Sequence, residues 1–149
     1  MTDETQRIFN LLQTATKAIA DSNVWRYFLK TAAWHFKYSF NDQILIFTQK
    51  STATACASMD DWVNKTKRWV NKNASPIALV RENGNQYYLK YVFDISDTGT
   101  REHSRTPWLW QLEEQHIGPV SAMLERSYGV AGDDLAQQLT DVAGKLASE

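Results

Sequence analysis

Apolar residues recur at helical spacing through the first part of the chain. Ile8, Leu11, Leu12, Ala15 and Ile19 fall on one stripe, so residues 4–20 read as an amphipathic helix. Asp21-Ser22-Asn23 interrupts the stripe and offers caps for a second helix over 24–35, apolar on most faces. A turn is expected around 36–40, and Ser39-x-x-Asp42 is placed to cap a third helix running to Gln49. The run 43–47, Gln-Ile-Leu-Ile-Phe, fits a buried strand equally well, because periodicity alone does not separate the two. Ser58-x-x-Asp61 repeats the capping pattern ahead of a short helix carrying Trp62.

Beyond residue 75 the period changes. Residues 76–80 and 86–93 read as strands, and Glu82-Asn83-Gly84-Asn85 lies between them. Asn-Gly accommodates positive φ at both positions, as a type I′ turn requires, so a β-hairpin is expected here. Tyr87, Leu89, Tyr91 and Phe93 then share one face of its second strand. Residues 94–107 are polar and irregular, and Trp108-Leu109-Trp110 reads as an anchor that packs back. Ile117, Val120, Leu124 and Tyr128 mark a helix stopped by Gly129. Leu135, Leu139, Val142 and Leu146 mark a last one, capped by Asp133 or Gly132. The order of elements is helices, hairpin or small antiparallel sheet, helices: an α+β fold. The length of 149 residues suits a single domain, here with a core at 24–100 and a helical extension at 107–148. The chain stops directly after a helical pattern, which reads as a fragment of a longer protein.

Charge changes this picture. Residues 24–81 hold nine Lys/Arg against three Asp/Glu, whereas residues 82–149 hold five against eleven. The overall charge of −1 thus conceals a basic middle and an acidic C-terminal third. Lys65-Thr66-Lys67-Arg68-Trp69-Val70-Asn71-Lys72 places four cations around one tryptophan with no acid among them. Cations meet phosphates and ring faces meet bases, so this pattern suits a nucleic-acid strand. Lys65, Lys67, Arg68 and Lys72 are the phosphate candidates and Trp69 the stacking candidate. In an extended segment Trp69 and Val70 point to opposite faces, with Val70 assigned to the core. The competing reading of the whole stretch is a solvated basic turn.

Other residues carry less. Cys56 is the only cysteine, which excludes an internal disulfide and a thiol zinc site and favours a reducing, intracellular setting. The acidic N-terminus is no signal peptide, and the longest apolar run, 44–47, is far too short to span a bilayer. Asp94 and Asp97 lack a third ligand and suit a turn with Asx hydrogen bonds. Glu113-x-x-His116 is half of a di-iron motif whose other half is missing. His35 reads as packed, His103 as loop and Trp62 as core. No catalytic constellation, cofactor motif or metal site is evident, so the chain is read as non-enzymatic.

Tyr38-Ser39-x-Asn41, Leu45 and Ile46, Trp62, Arg68-x-Val70-x-Lys72 and the run 92–98, Val-Phe-Asp-Ile-Ser-Asp-Thr, stand in an order that resembles the N-terminal domain of ArdC-type antirestriction proteins. The segments 37–43, 53–57 and 68–71 look most like the N-termini of very large methyltransferase- and helicase-like proteins of bacterial integrative conjugative elements. The likeness covers roughly residues 24–100. Where the ArdC pattern has glycines flanking the basic turn, this chain has Lys67 and Asn73, and Asn73 is expected to keep a left-handed turn. The resemblance implies a single-stranded DNA-binding module of a mobile genetic element, bacterial and cytoplasmic. It adds Lys37, Tyr38 and Asn41 to the candidate contacts. A helix cap at Ser39 or Asn41 with Tyr38 as its hydrophobic staple accounts for the same residues. The family's metalloprotease motif, His-Glu-x-x-His, is absent from the sequence. Expected partners are single-stranded DNA and other domains of the full-length protein, with no membrane. The alternative is a docking module using an exposed hairpin edge and the acidic helices.

Overall fold

A computed structural model describes residues 2–109 and 111–149, and the chain divides into two compact units, Met1–Trp110 and Gln111–Glu149. In the first unit, α1 (Asp3–Ala18) begins at Thr2, whose hydroxyl accepts Thr5 N–H. Asp21 caps α2 (Ser22–Ala32) by accepting from Asn23 and Val24 N–H. Ser39 caps α3 (Phe40–Gln49) and Ser58 caps α4 (Met59–Thr66), each accepting the N–H three residues on. The apolar run 43–47 is therefore helix, not strand.

The hairpin is present as β3 (Ile77–Asn83) and β4 (Gln86–Asp94), with Asn83 opposite Gln86. That register leaves Gly84 and Asn85 as the central pair, and of these only Gly84 has positive φ, +62°. The expected type I′ turn is thus corrected: glycine occupies the first central position, as in type II′. The short β1 (Cys56–Ala57) pairs with the far end of β4, giving the antiparallel order β1-β4-β3. A two-residue bridge joins β2 (Trp69–Val70) to β5 (Thr98–Gly99), so the stretch expected to be irregular contributes a strand.

Two apolar clusters share Leu12 of α1. One gathers Ile8, Leu45, Ile46, Ile77, Leu79 and Val92 between α1, α3 and the hairpin. The other sets Phe28 of α2 against Ile44, Ala15 and Ile19, with Phe40 and Phe47 edge-on to its ring. Burying a ring of this size contributes about 1.5–3 kcal/mol. Phe9 and Glu4 of α1 meet Tyr87 and Tyr91 of β4.

The outer margin of β3 is capped around Ala78. Ala78 turns both backbone groups away from β4, and the Gln49 amide satisfies them: Oε1 accepts Ala78 N–H and Nε2 donates to Ala78 O, both at 2.9 Å. Arg81 Nη1 donates to Val80 O at 2.8 Å. The expected open edge is therefore absent along this part of β3.

The second unit is a helical hairpin of α5 (Glu114–Tyr128) and α6 (Leu135–Ala147). Glu113 N–H donates to His116 Nδ1 at 3.0 Å, so Glu113-x-x-His116 closes a helix end. Gly129, with φ +69°, stops α5 as expected. The cap of α6 is Asp134 in place of Asp133 or Gly132. Fully buried Gln138 ties the two helices, donating to Ser121 O and Val130 O and accepting from Ser121 Oγ.

Candidate nucleic-acid interface

The end of α2 passes through tight turns over 33–37 before Ser39 starts α3. Two bonds from Gln43 Nε2, to His35 O at 2.8 Å and Tyr38 O at 3.2 Å, brace this passage. His35 is buried and its Nε2–H donates to Ala53 O at 3.0 Å. Tyr38 donates its hydroxyl to Cys56 O at 2.7 Å and packs its ring against the first apolar cluster, fastening the turn to β1. With its neighbours fixed, Phe36 is left 63% exposed, and Lys37 Nζ stands 5.8 Å over its ring.

The facing wall is held by Asp94. Its Oδ1 accepts Thr54 N–H at 2.8 Å and Ala55 N–H at 3.1 Å, and its Oδ2 accepts Ser96 N–H and the Ser96 hydroxyl. These bonds fix the segment leading into β1. Trp62 of α4 is buried, as expected, and donates its indole N–H to Phe93 O at 2.8 Å. The 101–105 loop closes on the end of α4, where Arg105 N–H donates to Thr66 O and the Ser104 hydroxyl donates to Lys67 O.

Together these segments enclose a groove of about 580 Å³ with a mostly apolar lining. Trp34, Phe36, Tyr38, Trp62 and Trp108 supply rings, and Lys37 and Lys65 supply cations. Trp108 is 74% exposed, so it does not anchor the chain; Trp110, expected to act with it, lies outside the described residues. Lys65 pairs with Asp61 at 2.9 Å on the surface of α4, a contact worth under about 1 kcal/mol and open to exchange. Its hydrogen bond holds the Asp61 carboxyl below the usual range.

Burial, with Asp94 nearby, pushes the Cys56 thiol up to about 12, so it stays protonated. Burial also raises the Tyr38 phenol and lowers the His35 imidazole. Among the described residues, no group of three or more His, Cys, Asp or Glu could hold a metal ion, and no helix is long and apolar enough to cross a membrane.

The candidate contacts separate into groups. Lys37, Tyr38 and Lys65 line the groove. Lys67, Trp69 and Lys72 are exposed around the β2–β5 bridge, where α4 ends. Trp69 is 42% exposed, with Val70 the more covered of the two, and the Arg101 guanidinium lies 4.3 Å from its ring centroid. Arg68 is only 8% exposed and donates Nε–H to Thr98 Oγ1 at 2.8 Å, so it has little surface for a phosphate. Asn41 lies apart, on a smaller cavity of about 220 Å³ beside the Asp42–Arg81 ion pair. Lys67, not Asn73, takes the left-handed conformation, at φ +57°. Sequence reasoning missed Trp34, Phe36, Arg101 and Trp108; the signal for Phe36 was its adjacency to Lys37. No protein-family model, curated protein or solved structure matches the chain.

Proposed function

We propose that this chain is a non-enzymatic module that binds single-stranded DNA along the groove between the 34–38 turn and α4. The observation that carries the reading is the pair of open rings, Phe36 and Trp108, on a groove flanked by Lys37 and Lys65. Unstacked bases would lie on the rings, and the lysines would neutralise phosphates. Lys67 and the Trp69–Arg101 stack, at the C-terminal end of α4, would extend the contact. Backbone charge and stacking carry little sequence information, so binding would be sequence-tolerant. The resemblance to ArdC-type domains favours DNA as the polymer and a bacterial mobile-element protein as the setting.

Fluorescence anisotropy with labelled single and double strands at two salt concentrations tests this. Single strands should bind more tightly, with a log–log salt slope of about −0.7 per neutralised phosphate. Phe36→Ala and Trp108→Ala should each weaken binding by about 1–3 kcal/mol. Salt-independent affinity, or an unchanged Kd in both ring deletions, would refute the assignment.

A further inference from the structure

The margin of the sheet opposite the Gln49 closure is open. Antiparallel partners turn their backbone groups the same way, both inward or both outward. Ala78 faces outward and lies opposite Tyr91, so Tyr91, and with it Leu89 and Tyr87, must present N–H and C=O on the far side of β4. Strand β1 covers that side only at Phe93 and Asp94. Among the described residues, no hydrogen bond reaches the outward groups of Tyr87, Leu89 or Tyr91. Tyr87, Tyr88, Lys90 and Tyr91 are exposed along this margin.

We propose that the margin pairs with the same margin of a second copy, antiparallel about a two-fold axis at Leu89. The inference does not rest on DNA binding. In this register Leu89 faces its own counterpart, and each Tyr87 faces the second copy's Tyr91. Lys90 lies opposite Tyr88, so no like charges stand directly across. Aromatic cross-strand pairs are among the stabilising ones, and like charges directly opposite are destabilising. The available length also fits. The second copy's β4 begins at Gln86, opposite Val92, one residue short of Phe93, where β1 takes over. Helix α1 packs on both β3 and β4, so the two α1 helices would stand two to three strand spacings apart, about 10–14 Å, at or beyond the 8–10 Å of packed helices. A shared margin of this kind is isologous and closes on itself.

Sedimentation of the full chain from low micromolar to near-millimolar concentration, with hydrogen exchange, tests the pairing. A dimer should form, and the Tyr87, Leu89 and Tyr91 amides should gain protection as it does. Tyr88→Glu places a carboxylate opposite Lys90 and should tighten the dimer about three- to ten-fold; Tyr88→Lys should weaken it by a similar factor. Because Tyr88 also lies opposite Arg81 of its own hairpin, the monomers should differ slightly in Tm, Tyr88→Glu above Tyr88→Lys, and the dissociation constants are read at a temperature where both monomers are fully folded. A chain that stays monomeric throughout, or a dimer whose dissociation constant is the same in both variants, would overturn the proposal.

Discussion

Removing the Asp94 carboxylate should be among the costliest single changes near the groove. The residue is buried and accepts three backbone N–H groups and one hydroxyl, drawn from Thr54, Ala55 and Ser96. Asp94→Ala leaves the three N–H groups without an acceptor in a largely dry setting. Each unsatisfied buried donor costs about 1–3 kcal/mol, and partial hydration of the vacated space offsets some of this, so a total of about 3–5 kcal/mol is expected. For a chain of this size that corresponds to a fall in Tm of roughly 10–20 °C. Asp94→Asn keeps one oxygen for Thr54 and Ala55 but turns a donor toward Ser96 or the reverse, and should cost about half as much. The pH dependence carries a second signature. Burial pushes the Asp94 carboxyl up, but the bonds from Ser96, Thr54 and Ala55 outweigh it and leave the folded value below normal. The stabilisation is then complete above the unfolded value of about 3.9 and is lost as pH falls through the folded value. Melts recorded from pH 6 down to the acid transition should therefore show a shallower acid limb for Asp94→Asn than for the parent chain. An alanine variant that melts within about 2 °C of the parent, or an asparagine variant with an unchanged acid limb, would refute this account.

Three further outcomes follow from the geometry. Lys67 holds a left-handed conformation that costs a non-glycine residue about 1–2 kcal/mol, so Lys67→Gly should raise stability by about 0.5–1 kcal/mol in urea titrations while Lys67→Val lowers it. Trp62→Phe keeps most of the buried ring but leaves Phe93 O without its indole donor; the urea midpoint should fall by the equivalent of about 1–3 kcal/mol with the m-value unchanged. His35 donates through Nε2 and has no partner on buried Nδ1, and burial lowers its folded pKa. The neutral form is therefore favoured on folding: stability should be full above about pH 6.5 and decline as pH falls toward the folded value, visible as a lower Tm at pH 5.5 than at 7.5 that His35→Phe abolishes.

The elements that could be read from the chain are those whose causes lie within a few residues. Ser39 and Ser58 act on N–H groups three positions away, and Gly129 stops its own helix. The hairpin was legible for the same reason, but its turn type was not: that depends on which residues pair, and Asn83 went to the ladder and left glycine first in the loop. The β2–β5 bridge joins residues about thirty positions apart, with no periodicity to announce it. Arg68 looked like a free cation because nothing local indicates that Thr98 will receive it. Asp94 was legible as an Asx turn through Ser96, whereas its bonds to Thr54 and Ala55 span about forty residues. The groove was least legible of all. Its walls come from 34–38, 55–57, 61–66 and 107–109, and only folding sets Phe36 beside Trp108 on one surface.

The Gln49 side chain imitates a neighbouring strand, offering Ala78 one acceptor and one donor as a peptide group would. With Arg81 on the next outward carbonyl, it hinders addition of a strand beside Ala78, whereas the far side of β4 carries no such cap. A sheet guarded at this corner takes on a further strand more readily at β4 than beside Ala78, so lateral growth is steered toward one margin of the hairpin.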